Sequence, residues 1–108
     1  MIYELLTYDS APGRMQDLHN RFKNYTVKIF NKHGFKPIGF FTSEIGGFSN
    51  QLIYVLAFES LAHREKCWEC FRSDTEWLKI KEKSESEGSL IIRTHNIILN
   101  PTDYSLLK

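Results

Sequence analysis

The segment Ser43–Arg64 constrains the fold more than any other part of this 108-residue chain. It contains the pair Gly46-Gly47, followed after a few residues by an apolar and aromatic run from Ile53 to Phe58. A short glycine-containing loop between two such runs is typical of a β-hairpin. We therefore predict one strand over Ile38–Ile45 and the next over Gln51–Phe58.

The part of the chain before this hairpin predicts a strand and then a helix. Ile2–Tyr8 is rich in aromatic and aliphatic residues, as strands are. Ser10 is a predicted N-cap, and Pro12 suits the first helical turn. The helix should end at His33-Gly34, because glycine readily adopts the left-handed conformation that closes a helix. Its buried face is predicted from spacings of three and four residues, and it comprises Met15, Leu18, Phe22, Tyr25 and Ile29.

The part of the chain after the hairpin predicts a second helix and a last strand. Ser60 is a good N-cap for a helix over Leu61–Arg72. Ser73 and Glu76 have the spacing of a capping box, which predicts a new helical turn that carries Trp77. Leu90–Leu99 is the last predicted strand.

The predicted order is strand, helix, strand, strand, helix, strand within a single domain over residues 1–108. This order is the ferredoxin-like βαββαβ pattern, an α+β fold in which both helices cover one face of a four-stranded antiparallel sheet. Ile53–Phe58 and Ile97-Ile98-Leu99 have no polar residue at alternate positions, so both faces of the sheet should be dry. Because the helices cover only one face, we predict a homodimer in which two sheets pack into a shared α+β barrel.

Composition excludes several classes of function. Charged residues make up 25% of the chain and give a formal net charge of +1, so nothing points to nucleic acid. The strand Leu52–Phe58 also lacks the basic and glycine signature of an RNA-binding sheet. No apolar run is long enough to span a membrane, and Met1–Tyr8 enters a strand without the features of a signal peptide. We expect a soluble, cytoplasmic protein.

A set of short motifs spread over nearly the whole chain resembles the NIPSNAP family. The resemblance implies a dimeric α+β barrel of ferredoxin-like topology, and it implies no assigned chemistry. Leu6 stands where the family usually has an arginine, and Thr75 replaces a common proline; if relatives bind an anion through that arginine, this contact is lost here. The motifs are Tyr3-Glu4-Leu5, Thr7-Tyr8, Pro12-Gly13, Gly39-Phe40-Phe41, Glu44-Ile45-Gly46, Asn50-Gln51, Ser60-Leu61 with Arg64, Asp74-x-Glu76-Trp77, and Leu99-x-Pro101 with Ser105.

A ligand pocket between sheet and helices is predicted from polar residues in apolar surroundings. Arg64 lies at the edge of an apolar helix face and could receive a carboxylate or phosphate through both ends of its guanidinium. The alternative is a structural ion pair, for example to Glu4 or Glu44. The predicted ligand-binding residues are Arg64, Tyr54, Trp77 and Asn96.

Two further sets of residues are candidates for catalysis or metal binding. His95 is a weak catalytic candidate, as a proton acceptor in the pocket, and it could instead lie at the dimer seam or make a structural hydrogen bond. His63, Cys67 and Cys70 share one helix face, but no further cysteine is left to complete a zinc site. We interpret Cys67 and Cys70 as small core residues, and we predict no metal and no cofactor.

Three functions stay open from the sequence. The first is a homodimeric small-molecule-binding protein with an apolar pocket that takes an apolar or anionic ligand. The second is a cofactor-independent enzyme, similar to monooxygenases or isomerases of related fold, that uses the same pocket. The third is an adaptor that binds other proteins and takes no small ligand.

Overall fold

A computed structural model describes residues 1–108 and contains one four-stranded antiparallel sheet. The strands lie in the order β2-β3-β1-β4, and β1 pairs with both β3 and β4. This is the predicted ferredoxin-like topology, which is confirmed. The strands are β1 (Ile2–Ser10), β2 (Lys36–Phe41), β3 (Gln51–Phe58) and β4 (Ile91–Leu99).

The helices pack on one face of this sheet. The first is a continuous helix in which a π segment (Phe22–Thr26) separates α1 (Met15–Arg21) from α2 (Val27–Lys32). The others are α3 (Leu61–Ser73) and α4 (Thr75–Ser84). None of them is both long enough and apolar enough to cross a membrane.

The π segment changes which residues of the first helix reach the core. The regular stripe predicts Tyr25 as buried, yet 48% of this residue is exposed. Thr26 and Phe30 are buried instead, because a π turn is wider than an α turn and rotates the following residues. The Thr26 hydroxyl donates a hydrogen bond to the carbonyl oxygen of Arg21, five residues earlier, at 3.3 Å.

Two predicted boundaries in the first half of the chain are wrong. Ser10 is not a helix cap: it ends β1, its backbone N–H donates to the carbonyl of Asn50, and α1 begins only at Met15 with no side-chain cap. The predicted strand Ile38–Ile45 is shifted, since β2 ends at Phe41. The residues from 42 to 50 form a loop instead, and Gly46 and Gly47 bend it with positive φ angles of 87° and 70°.

The start of α4 also differs from the prediction, whereas the cap of α3 agrees with it. Ser60 accepts a hydrogen bond from the backbone N–H of His63, as an N-cap does. For α4 the cap is Asp74 and not Ser73. The Ser73 hydroxyl donates to carbonyls of the preceding turn, while the carboxylate of Asp74 accepts from the N–H of Trp77.

The two faces of the sheet have different surroundings. The core lies between the helices and the face that carries Leu6, Leu52, Tyr54 and Leu56. On the opposite face, which we call the open face, Leu5 stands between Val55 and Ile97 in the pairing register. Apolar residues at its edges are exposed, with 55% for Phe41, 54% for Ile97 and 41% for Leu99. The chain by itself leaves these three side chains exposed, although Tyr3, Asp9 and Ala57 on the same face are buried.

Candidate functional site

A cavity of about 380 Å³ lies between the helices and the half of the sheet formed by β1 and β4. Every helix and the π segment contribute to its wall, so the fold itself positions the lining. Five of the lining residues are aromatic: Tyr8, Phe22, Phe30, Phe71 and Trp77. The polar lining consists of Arg21, Thr26, Lys81, Glu85, Ser89 and Thr94.

Arg21 is the buried cation of this cavity. It is 5% exposed, and its Nη1 donates to Glu85 Oε2 at 2.8 Å and to Ser84 Oγ at 3.1 Å. Its guanidinium carbon lies 5.0 Å from the ring centroid of Trp77, in a cation–π contact. Its Nε is buried without any hydrogen-bond partner. Such a donor is uncommon in folded proteins, where nearly all buried polar groups are paired.

A pair of tyrosines forms the sheet side of the cavity. The hydroxyl of Tyr54 donates to the hydroxyl of Tyr8 at 2.7 Å, and the two rings meet edge to face with centroids 5.3 Å apart. Burial raises the pKa of Tyr8, and it raises the pKa of Tyr54 well above its usual range. Both side chains are therefore neutral phenols near pH 7, and because Tyr8 accepts from Tyr54, its own proton is available for a cavity ligand.

Glu4 organises a second polar cluster on the same side of the sheet. Its buried carboxylate accepts from Arg64 Nε at 2.9 Å and Nη2 at 2.8 Å, from Trp68 Nε1 at 2.8 Å, and from Asn96 Nδ2 at 2.9 Å. Burial alone would raise the pKa of Glu4, but the hydrogen bonds from Arg64, Asn96 and Trp68 outweigh it, so the pKa lies below the usual value. The structural alternative for Arg64, an ion pair to Glu4, is thus observed.

The structure separates the four residues predicted to bind a ligand. Trp77 lines the cavity, and Tyr54 lies directly behind Tyr8. Arg64 and Asn96 bind Glu4. The cavity also contains a cation that the sequence analysis did not single out, Arg21.

His95 lies on the open face of the sheet, away from this cavity, and is 56% exposed by its side chain. The buried carboxylate of Asp9 is close by: it accepts from Gln51 at 3.0 Å and from Arg93 at 2.8 Å, and His95 Nε2 is 3.8 Å from it. Hydrogen bonds from Arg93 and Gln51 lower the pKa of Asp9. The structure therefore places His95 outside the cavity, on the open face of the sheet.

The two cysteines and His63 have ordinary surroundings. Cys67 is part of the hydrophobic core, and burial raises the pKa of its thiol. Cys70 is half-buried, and both thiols are free. The His63 ring accepts a hydrogen bond from the backbone N–H of Glu59 through Nδ1.

The sequence itself carries a signal for Arg21. Arg21 stands three residues after Leu18 and directly before Phe22, two residues of the predicted buried stripe. The reasoning applied to Arg64, an arginine at the edge of an apolar helix face, holds equally well here. Tyr8 belonged to the predicted strand Ile2–Tyr8 and to a family motif, and no ligand contact was predicted for it.

Comparison with known proteins places the chain in a family. The family model for NIPSNAP proteins matches residues 3–106. The chain belongs to the NIPSNAP family. It is 31% identical over 75 residues to the mouse protein NipSnap homolog 3B, an alignment that covers 69% of this chain and 30% of the relative. The chain spans well under half the length of the curated relatives it matches.

Solved structures agree with this assignment. A NIPSNAP family protein from Agrobacterium tumefaciens is 29% identical and superposes with a TM-score of 0.86, over 99% of this chain and 98% of the other. A candidate antibiotic biosynthesis monooxygenase from Nitrosomonas europaea superposes with a TM-score of 0.63 at 7% identity, over 93% and 97% of the two chains. This second likeness shows a shared fold and nothing about the reaction.

Proposed function

We propose that this NIPSNAP domain is a homodimeric protein that binds a small molecule in the cavity between its sheet and its helices. The observation that carries the proposal is the cavity itself. Its volume of about 380 Å³ lies within the range of about 300–1,000 Å³ that is usual for ligand sites. It combines aromatic walls with a few convergent polar groups, as such sites do.

The lining supports binding because its polar groups are not all engaged within the protein. Arg21 has a buried Nε without a partner, and Tyr8 has a hydroxyl proton left to donate. Both groups lie beside aromatic rings that bind planar apolar molecules well. A core that served only packing would pair its polar groups or omit them.

The open face supports the proposed homodimer. Its centre is apolar, with Leu5 between Val55 and Ile97, and monomers rarely expose a contiguous apolar patch above a few hundred Å². A second copy packed sheet to sheet would bury on the order of 800 Å² per subunit, the size of a standard interface. Arg93 and His95 share this face and would lie at the edge of the contact.

A cofactor-independent enzyme in the same cavity is the second candidate. The observation that favours it is the Tyr8–Tyr54 hydroxyl pair, since a neutral phenol next to Arg21 can donate a proton to a developing anion. The fold likeness to a candidate monooxygenase is compatible with this and is only an analogy. In such an enzyme Tyr8, rather than His95, would be the residue in contact with substrate. An adaptor without a ligand is the third candidate.

Native mass spectrometry of the purified protein tests the proposal, because it reads subunit number and bound mass together. A dimer with additional non-protein mass supports it, and chemical identification of that mass separates a binding protein from an enzyme that retains substrate or product. A dimer without added mass that also takes up no ligand from a small-molecule panel favours the adaptor. A monomer contradicts the dimer.

A further inference from the structure

We propose that the cavity selects a small aromatic carboxylic acid, whose carboxylate binds Arg21 and whose ring lies among the aromatic side chains. The inference rests on the proposed function and adds the chemical class of the ligand. It depends on the guanidinium edge of Arg21, on the charge of the lining and on the arrangement of the rings.

Arg21, which is buried, and Arg64, which is partly buried, differ in what their guanidinium groups bind. Arg64 holds both oxygens of the Glu4 carboxylate through Nε and Nη2. Arg21 uses Nη1 for Glu85 and Ser84, and its Nε is buried and unpaired. A carboxylate matches the Nε–Nη2 edge of a guanidinium, as it does at Arg64, because it accepts two parallel N–H bonds. At Arg21 the ligand would have to displace the protein atoms that now cover Nε.

The charge of the lining favours an anion. Arg21 and Lys81 are the cations of the cavity and Glu85 is its carboxylate, which leaves one positive charge in excess. Glu85 is already paired with Nη1 of Arg21, so it does not occupy the Nε edge. An anionic ligand would bring the lining to neutrality.

The solvent side of Arg21 has the same electrostatic character. Arg21 also lines an outer groove of about 530 Å³ between the first helix and α4, and it is the residue that the two spaces share. The groove carries Arg14, Lys79 and Lys83 as well, against the carboxylates Asp17 and Glu87. Excess positive charge along a groove raises the local concentration of anions near Arg21.

The apolar part of the cavity favours an aromatic ring. Phe71 and Trp77 lie with ring centroids 4.7 Å apart at 35°, and Phe22 and Phe30 meet edge to face at 6.3 Å. Rings in these arrangements attract another ring by stacking or by an edge contact. The proton of the Tyr8 hydroxyl is free for the second oxygen of the carboxylate, because Tyr54 fills its acceptor position.

Isothermal titration calorimetry with a matched pair of probes tests the inference on the unmodified protein. The probes are 1-naphthylacetate and 1-naphthylacetamide, which share ring and shape and differ in charge. The acid should bind about tenfold to a hundredfold more tightly, which is the usual effect of a charge-assisted hydrogen bond. Equal affinity for both probes would overturn the anion selectivity and leave the binding cavity intact. If neither probe binds, the inference is wrong, and the proposed function then stands or falls on the bound mass seen in native mass spectrometry.

Variants assign the effect to Arg21. The double variant R21Q/E85Q removes both partners of the ion pair, so that neither charge is left unpaired, and Lys81 keeps the excess of one positive charge. It should still lose the preference for the acid, because the carboxylate binds the guanidinium of Arg21. R21K keeps the positive charge but has no Nε, so it should retain only part of the preference for the acid. R72Q removes the same charge from an exposed position outside the cavity and should bind like the parent. If R21Q/E85Q is folded by circular dichroism and still prefers the acid, Arg21 is not the anion site.

A measurement on the unmodified protein covers the case in which the double variant does not fold. The side-chain Nε–H of Arg21 gives a signal in a ¹⁵N–¹H spectrum, and assignment through the bonded atoms of the residue identifies it. Naphthylacetate should shift this signal, whereas the amide should leave it in place. A bound acid that leaves the Arg21 signal unchanged contradicts the inference.

Discussion

Glu4 and Arg64 form a two-point ion pair that joins the first strand to the helix after the hairpin, with N–O distances of 2.9 and 2.8 Å. Trp68 and Asn96 donate to the same carboxylate, so the cluster ties β1, β4 and α3 together. Glu4 is buried and Arg64 is largely buried. Removal of the charge of Glu4 would therefore leave the Arg64 guanidinium without its buried partner.

We expect Glu4→Gln to lower the free energy of unfolding by about 3 kcal/mol, the lower end of the range for a broken buried pair, because Arg64 retains some contact with water. Urea denaturation at pH 7 measures this loss in the free energy of unfolding. Glu65→Gln is the control, since Glu65 contacts Arg64 from an exposed position and should contribute less than about 1 kcal/mol. Equal effects of the two substitutions would contradict a central role of Glu4.

The contacts of Asp74 predict that the protein loses stability at acid pH. Its carboxylate accepts from Lys32 at 2.9 Å and from the N–H of Trp77 at 2.9 Å, and His33 lies 2.6 Å away. The hydrogen bond from Lys32, followed by those from Trp77 and His33, holds the pKa of Asp74 well below its usual range. Because the folded protein binds this proton more weakly than the unfolded chain, the stabilisation is complete above the unfolded pKa of about 4 and is lost as the pH falls below it.

Asp74→Asn isolates this effect, because asparagine is also a good N-cap and loses only the charge. At pH 7 we expect the variant to be about 1 kcal/mol less stable, a modest value because Lys32 is exposed. The difference from the parent should shrink between pH 5 and pH 3 in urea titrations. The control is Asp103→Asn, at an exposed position of the C-terminal segment, and its difference in stability from the parent should not change with pH in this range.

The sequence was sufficient for the fold because each element carried a local signal. The bounds of Gln51–Phe58 follow from an uninterrupted apolar run, and the start of α3 follows from Ser60. The end of β2 was misplaced because the predicted strand continued to Ile45, although residues 42–44 are three consecutive polar residues. The nearest turn signal, Gly46-Gly47, marks the middle of the following loop and not the end of the strand.

The candidate site was harder to predict, for two physical reasons. The π segment rotates the first helix, so Thr26 and Phe30 reach the core where the α period predicts Tyr25, and no residue type marks such a turn in advance. The role of an arginine also depends on a partner far away in sequence. Glu4 pairs Arg64 from 60 residues away, and Glu85 pairs Arg21 from 64 residues away.

The Tyr54–Tyr8 hydrogen bond predicts a small and separable contribution to stability. Tyr54→Phe removes one buried hydroxyl and keeps the ring, which stacks on Phe40 at 5.3 Å. We expect a loss of about 1 kcal/mol in the free energy of unfolding. Thermal and urea unfolding measure this loss. The control Tyr104→Phe, on an exposed ring, should change neither the melting temperature nor the free energy of unfolding. A neutral result for Tyr54→Phe would mean that the Tyr8 hydroxyl finds another partner.

The open face predicts how the dimer can be broken without loss of the fold. Val55 lies beside Leu5 and Gly39 in the register, near the centre of that face. A glutamate there would bring two like charges together across a sheet-to-sheet contact related by two-fold symmetry, and both would lose water. We expect Val55→Glu to run as a folded monomer in size-exclusion chromatography with light scattering, at a concentration where the parent is a dimer.

The matched control is Leu78→Glu, which adds the same charge at a half-exposed position of α4, away from the sheet. This variant should stay dimeric. If Val55→Glu is folded and keeps the mass of the parent dimer, the contact uses another surface and the open face needs a different explanation. If the parent itself is a monomer, the exposed Ile97 and Leu99 would have to be tolerated by the isolated subunit, against the usual limit on apolar patches.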